Sequence, residues 1–236
     1  MINISIAGIC VALDTDTPYI LAQCKRFLTD QQPVLVARTT DAEIRQEQII
    51  GDCTRAQAEF VCLHRSLVEQ LISFDRLMLH SAAIQVNGKA YLFSAKSGTG
   101  KTTHIRLWKK CFGSQVQIIN GDKPILWRQE GVWHACGTPW CGKEGWTSTD
   151  CVPIAGLCFL ERSETNWIRP ASTDEIIEHV FHQVYRPSDP KSLLQTMNLL
   201  DDFLSSIPCW VMGCNISSEA AKIASEAMLG QDHNSF

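Results

Sequence analysis

The apolar positions of the chain change period as it proceeds, and each change predicts an element. Residues 1–13 alternate around Gly8, which predicts a short strand pair. From Pro18 to Thr29 the residues Ile20, Leu21, Cys24, Phe27 and Leu28 recur at helical spacing. Val34-Leu35-Val36 reads as a short strand, and the polar stretch Thr40 to Gly51 as a surface turn or short helix. Thr54 to Phe74 is a long amphipathic helix, because Phe60, Leu63, Leu67, Leu71 and Phe74 fall three and four residues apart. His64 lies on its mixed face and reads as a surface histidine. Leu77 to Val86 then reads as one strand. Asn87-Gly88 is a strong two-residue hairpin signal, so Lys89–Phe93 should return antiparallel to it.

The second half begins with a helix opened by His104-Ile105-Arg106-Leu107-Trp108, with His104 and Arg106 expected to face solvent. Three short strands follow without helices between them: Val116 to Ile119, Pro124 to Trp127 and Val132 to Cys136, with Gln129-Glu130-Gly131 as a turn. A meander of this kind predicts a mixed, largely antiparallel sheet rather than repeated βαβ units. Val152–Leu160 supplies a central strand. The last third is helical: one helix capped by Thr173, another from about Asp189 to Leu204, a strand at Cys209–Met212, and a final helix opened by Ser218. The expected fold class is therefore α/β, with residues 1–75 as a small α+β subdomain and 76–236 as the larger unit.

Between the predicted strand Ala90–Phe93 and the helix lies Ser94-Ala-Lys-Ser-Gly-Thr-Gly-Lys-Thr-Thr103. Strand, glycine-rich turn, Lys-Thr and helix is the arrangement of a phosphate-binding loop. Gly98 and Gly100 permit positive φ and close approach of backbone N–H groups to an anion. The helix start adds unpaired N–H groups and the positive end of its dipole. Ser97, Gly98, Thr99, Gly100, Lys101, Thr102 and Thr103 are the candidate nucleotide-binding residues, with Lys101 reaching terminal phosphates and the Thr102 hydroxyl reaching Mg²⁺. Ala95 stands where the full pattern has its first glycine.

Composition narrows this picture. A net charge of −4 argues against duplex nucleic acid as the main partner. Asn3, Ser5, Gly8 and Asp14 interrupt the apolar residues of the start, so no secretory signal is read there, and Val152 to Leu160 is too short to span a membrane. Eleven cysteines, mostly within apolar patterns, read as free buried thiols of a reducing cytoplasm. The Cys136/Cys141 and Cys209/Cys214 spacings are looser than a usual zinc knuckle.

Three marks together resemble the catalytic domain of HPr kinase/phosphorylase, and more distantly the ATP-dependent phosphoenolpyruvate carboxykinases. They are Leu79-His80-Ser81, the loop Ser97 to Thr103, and Asn120-Gly121-Asp122-Lys123-Pro124. The resemblance covers residues 76 to about 215. Gly137 to Glu144 (Gly-Thr-Pro-Trp-Cys-Gly-Lys-Glu) resembles a segment of bacterial HPr kinase-like proteins, whose relatives in peptide-biosynthesis clusters phosphorylate a peptide serine. The resemblance implies a P-loop kinase using ATP and Mg²⁺, with Asp122 as metal ligand or base and His80 as a phosphate contact or proton relay. HPr kinase carries two adjacent aspartates where this chain has Gly121-Asp122, so Glu144 is the candidate for the missing carboxylate and Lys143 for a cation on the transferring group. Expected partners are a nucleotide and a hydroxyl of a peptide or small protein, with no nucleic acid and no membrane; an oligomer is compatible. Two other readings stay open: a kinase of a free amino acid or sugar, and a nucleotide-binding regulatory module without turnover.

Overall fold

The computed structural model describes residues 1–230, so the second unit expected to end at Phe236 runs six residues beyond them. Strands β1 (Ile2–Ile6) and β2 (Ile9–Leu13) pair antiparallel. Ala7 and Gly8 take positive φ in the turn between them, and a Cβ on Gly8 would meet the Trp127 ring at 2.5 Å. Helix α1 (Pro18–Cys24) ends five residues before the predicted limit, because a 3₁₀ turn takes over at Lys25–Phe27. Strand β3 (Leu35–Ala37) lies parallel to β2 and completes a three-stranded sheet. The polar stretch is a full helix, α2 (Asp41–Gly51), started by a capping box between Thr40 and Glu43. Helix α3 (Arg55–Leu71) begins with a second box, Thr54 with Gln57. Its buried stripe includes His64, 5% exposed, so this histidine belongs to the core rather than the surface.

The predicted strand at 77–86 is two strands. β4 (Arg76–Met78) pairs with β8 (Ile125–Gln129), whereas β5 (Ser81–Val86) pairs with β6 (Lys89–Ser94) through the expected Asn87-Gly88 turn. The chain changes neighbours at Leu79-His80, and this break frees the His80 side chain from the ladder. The loop helix is α4 (Lys101–Phe112). Next come β7 (Gln117–Asn120), β9 (Val132–Cys136) and the twelve-residue β10 (Cys151–Arg162). Strand β11 (Trp167–Pro170) was not predicted; it pairs with β12 (Cys209–Cys214). Helix α5 (Thr173–Val180) is capped by Ser172, whose hydroxyl accepts from the Glu175 N–H, and not by Thr173. Helices α6 (Pro190–Ser206) and α7 (Ser218–Leu229) follow the predicted pattern, α6 with Asp189 as its cap.

The result is a nine-stranded mixed sheet in the order β4-β8-β9-β10-β6-β5-β7, with β12 on β10 and β11 on β12. Most pairs are antiparallel; β10 is parallel to both β6 and β12. Residues 1–75 share a core with the larger sheet: Leu63, Leu67 and Phe27 pack with Ile125, Cys136 and Trp140. Arg76 is buried at this junction. It donates twice to the Ala7 carbonyl (2.8 and 2.5 Å) and once to that of Phe74, and its guanidinium lies 4.7 Å from the Trp127 ring centre.

One expectation about the cysteines is overturned. Cys136 and Cys151 face each other across β9 and β10 and form a disulfide, leaving nine free thiols rather than eleven. The strand register places their Cα atoms 4.1 Å apart, close enough to bridge. Among the described residues no helix is long and apolar enough to cross a membrane.

Candidate functional site

Strand β6 delivers the chain into the glycine-rich loop. Ser94 at its end donates to the His80 carbonyl (3.0 Å), tying the loop entry to the break between β4 and β5. Ala95 is fully buried in the apolar cluster around Phe93, Ile105 and Trp108 and does not take positive φ, so nothing there requires glycine. Gly98 and Gly100 do take positive φ, +77° and +127°. From the end of β10, Arg162 donates to the carbonyls of Gly98 (2.5 Å) and Thr99 (3.5 Å), which braces the carbonyl side of the loop. Gly100 is the N-cap of α4 and offers no side-chain acceptor, so the first-turn N–H groups remain available to an anion. Beneath the loop Lys101 is 8% exposed, with its ammonium 3.3 Å from the Ala95 carbonyl. Burial holds its pKa below the ordinary value, and the Asp122 carboxylate pulls it back up.

Asp122 faces this lysine from the end of β7. The turn that presents it is built by Asn120, fully buried, whose side-chain oxygen accepts from the N–H groups of Asp122 (2.9 Å) and Lys123 (2.7 Å). The Asn120 amide donates in turn to Thr138. The Asp122 carboxylate lies 3.0 Å from His80 Nε2, and His80 Nδ1 lies 3.0 Å from the Gln183 side-chain oxygen. Both ring nitrogens thus face acceptors. An imidazolium satisfies both, and a neutral ring satisfies both once the Gln183 amide turns over and donates. Burial pushes the Asp122 carboxyl upward, but the hydrogen bond from His80 and the nearby charges of Lys123 and Lys101 outweigh it and hold the group below the usual range. Asp122 is therefore a carboxylate at neutral pH.

The loop from Gly137 to Trp146 packs directly on this turn. Trp146 accepts from the Gly121 N–H (2.9 Å), and Thr138 donates to the Lys123 carbonyl (2.9 Å). A Cβ on Gly121 would sit 2.7 Å from the Cys141 carbonyl oxygen, so the loop backbone occupies the space a neighbouring aspartate would need. The point where a Cβ on Gly142 would stand is 3.8 Å from both Glu144 Oε2 and Asp122 Cγ. Glu144 also meets Arg106 (3.5 Å), whose guanidinium lies over Trp146. Lys143 is exposed and shares a cavity with Asp122 rather than approaching the glycine-rich loop.

The site residues predicted from the sequence thus fall into one cluster, the loop with Lys101, His80 and Asp122, flanked by Glu144 and Lys143. Thr102 presents a partly exposed hydroxyl with no hydrogen bond among the described residues. Thr102 and Asp122 suit a cation that takes most of its ligands from phosphate and water, as Mg²⁺ does. The sequence reading missed Asn120, Gln183 and Arg162; only Asn120 carried a local signal, as an Asn beside Gly in a turn. It also placed His104 in solvent, whereas His104 is 2% exposed against Phe93 and Trp108. Trp108 donates to its Nε2 (3.0 Å), and Nδ1 has no partner among the described residues.

Two cavities adjoin the cluster. One, of about 400 Å³, lies beside the loop and is lined by Gly98, Thr103, His104, Arg162, Asn215 and Ile216 among others. The other, of about 370 Å³, reaches Asp122 and Lys123 from the side of residues 1–75.

No protein-family model and no curated protein matches the chain. Among solved structures, the Hpr(Ser) kinase/phosphatase from Coxiella burnetii is similar over 66% of this chain and 94% of its own, at 9% identity and a TM-score of 0.36.

Proposed function

We propose that the protein is an ATP- and Mg²⁺-dependent phosphotransferase that phosphorylates a hydroxyl. The observation that carries this reading is Asp122, an ionised carboxylate hydrogen-bonded to His80 and set against Lys101 of a glycine-rich loop. Phosphoryl transfer asks a protein mainly for positioning and charge. The loop N–H groups and Lys101 would hold the terminal phosphates, and the cavity beside His104 and Asn215 would receive the nucleoside. Mg²⁺, held by Thr102 and Asp122, would neutralise phosphate charge. Asp122 would orient the acceptor hydroxyl, and His80, steadied by Gln183, would fix the carboxylate and spread the proton's charge. The lowered pKa of Asp122 suits orientation better than strong basicity.

The test combines binding with turnover. Mg²⁺·ATP should raise the melting temperature by mass action and be hydrolysed slowly in the absence of an acceptor. Binding without any hydrolysis or transfer would leave the regulatory-module reading. Unchanged melting at millimolar nucleotide would overturn the phosphate-loop assignment.

A further inference from the structure

Residues 1–75 lie outside the resemblance to kinase catalytic domains, yet they form half of the cavity that reaches Asp122. Tyr19 and Gln23 of α1, Glu47 of α2, and Phe60 and Val61 of α3 line one side; Pro139 to Lys143, with Asp122 and Lys123, line the other. The two sides are locked together. Trp140 donates its indole N–H to the Phe60 carbonyl (2.8 Å), and the two rings stack at 4.9 Å. Tyr19 meets Phe60 edge-on at 6.0 Å.

The chemistry of the lining selects its occupant. Tyr19, Phe60 and Val61 on one side and Trp140 on the other make much of the lining apolar, which is costly for a sugar whose hydroxyls would lose their hydrogen bonds there. Gln23 is exposed and has no side-chain partner among the described residues, so its amide can pair with a peptide group. Glu47 is already engaged by Arg65. A volume of about 370 Å³ holds one or two residues and no more, so a longer ligand must continue over the rim. Ile50, 71% exposed, is the chain neighbour of Gly51, which lines the cleft.

We propose that this cleft is the acceptor site and that it takes a peptide segment in which the acceptor serine or threonine is next to an apolar residue. The apolar neighbour packs on Phe60 and Trp140 while the hydroxyl reaches Asp122. The inference rests on the kinase reading above. In the transfer, the acceptor oxygen bonds to the γ-phosphorus as the bond from that phosphorus to the β–γ bridging oxygen breaks. ADP leaves with the bonding electrons, and the hydroxyl proton, oriented by Asp122, is released to solvent.

The probes are capped peptides with the core Gly-Phe-Ser-Gly or Gly-Gly-Ser-Gly, free serine and glucose, each with radiolabelled ATP. The Phe-Ser peptide should be phosphorylated roughly ten-fold or more faster than the Gly-Ser peptide, the effect of burying one aromatic side chain. Val61→Trp, which fills the cleft, should remove that preference while keeping the melting shift given by Mg²⁺·ATP. Equal use of both peptides, a preference for free serine or glucose, or an unchanged preference in a folded Val61→Trp protein would overturn the proposal. So would ATP hydrolysis by the wild-type protein with transfer to none of the four. A wild-type protein that neither binds nor hydrolyses ATP would instead sink the kinase reading itself.

Discussion

Two buried histidines give the fold an acid limit that can be worked out in advance. His64 lies in the stripe of α3 against Trp140, and burial, aided by the charge of Lys123, drives its pKa down to about 3. His104 lies under the glycine-rich loop, and burial drives it to about 4. Among the described residues each has a buried ring nitrogen without a partner, so neither site offers a second acceptor for an added proton. The unfolded chain binds those protons near pH 6.5 and the folded chain does not. Stability is therefore full above pH 6.5 and falls as pH drops toward the folded values. At pH 5 the linkage costs about 2 kcal/mol for each histidine, about 4 kcal/mol together. For a chain of this size that is roughly 8–16 °C of melting temperature. The depressed carboxylates, Asp122 among them, add their own loss only at lower pH. Thermal melts in matched ionic strength between pH 8 and pH 5 would show the slope, and His64→Phe should halve it. A melting temperature flat across that interval, or an undiminished slope in His64→Phe, would refute the reasoning.

Lys101→Ala should leave the fold intact and reduce transfer by roughly 10²–10³-fold, read as labelled phosphate moved per minute, because it removes one preorganised donor to a developing anion. Asp122→Asn should lower transfer by at least about 10²-fold. Titration calorimetry should also show weaker Mg²⁺·ATP binding in that variant, since an amide is a poorer Mg²⁺ ligand than a carboxylate. Glu144→Gln should impair transfer more mildly, and wild-type rates in both carboxylate variants would move the chemistry away from this turn. Gly121→Asp should lose roughly 1–3 kcal/mol of stability through overpacking against Cys141, with no gain in rate. A faster, equally stable Gly121→Asp protein would show that the loop does not fill the second aspartate's place.

Much of this site was legible because its signals are local. The Asn87-Gly88 hairpin, the Gly98/Gly100 turn and the long stripe of α3 each depend on residues within one or two turns of each other. The errors with the histidines were avoidable. His104 shares a face with Lys101, Ile105 and Trp108, and His64 with Phe60, Leu67 and Leu71; three- and four-residue spacing places both inward. Other features had no local trace. Gln183 meets His80 across 103 residues, and the break at Leu79-His80 exists because β4 and β5 find different partners. Cys136 finds Cys151 through strand register, not through spacing. The wall that α1–α3 present to Asp122 follows from how residues 1–75 pack on the sheet, which periodicity alone does not encode.

The loop from Gly137 to Trp146 ties these parts into one mechanical unit. Gly137 is required by close backbone approach, since its Cβ would lie 1.8 Å from the Ser148 carbonyl oxygen, and Gly142 and Gly145 by their positive φ. From that tight frame the loop sends Trp140 into α3, Cys141 against Gly121, Glu144 to Arg106, and Trp146 beneath the Arg106 guanidinium. The cavity toward residues 1–75, the turn carrying the lone aspartate and the helix following the glycine-rich loop therefore share a single support. Closely packed backbone transmits a shift instead of absorbing it. An occupant pressing on Trp140 would consequently be felt at Asp122 and at α4. A second aspartate at position 121 would pry this support away from the turn, because its Cβ would meet the Cys141 carbonyl oxygen. Glycine at 121 keeps the support seated on the turn.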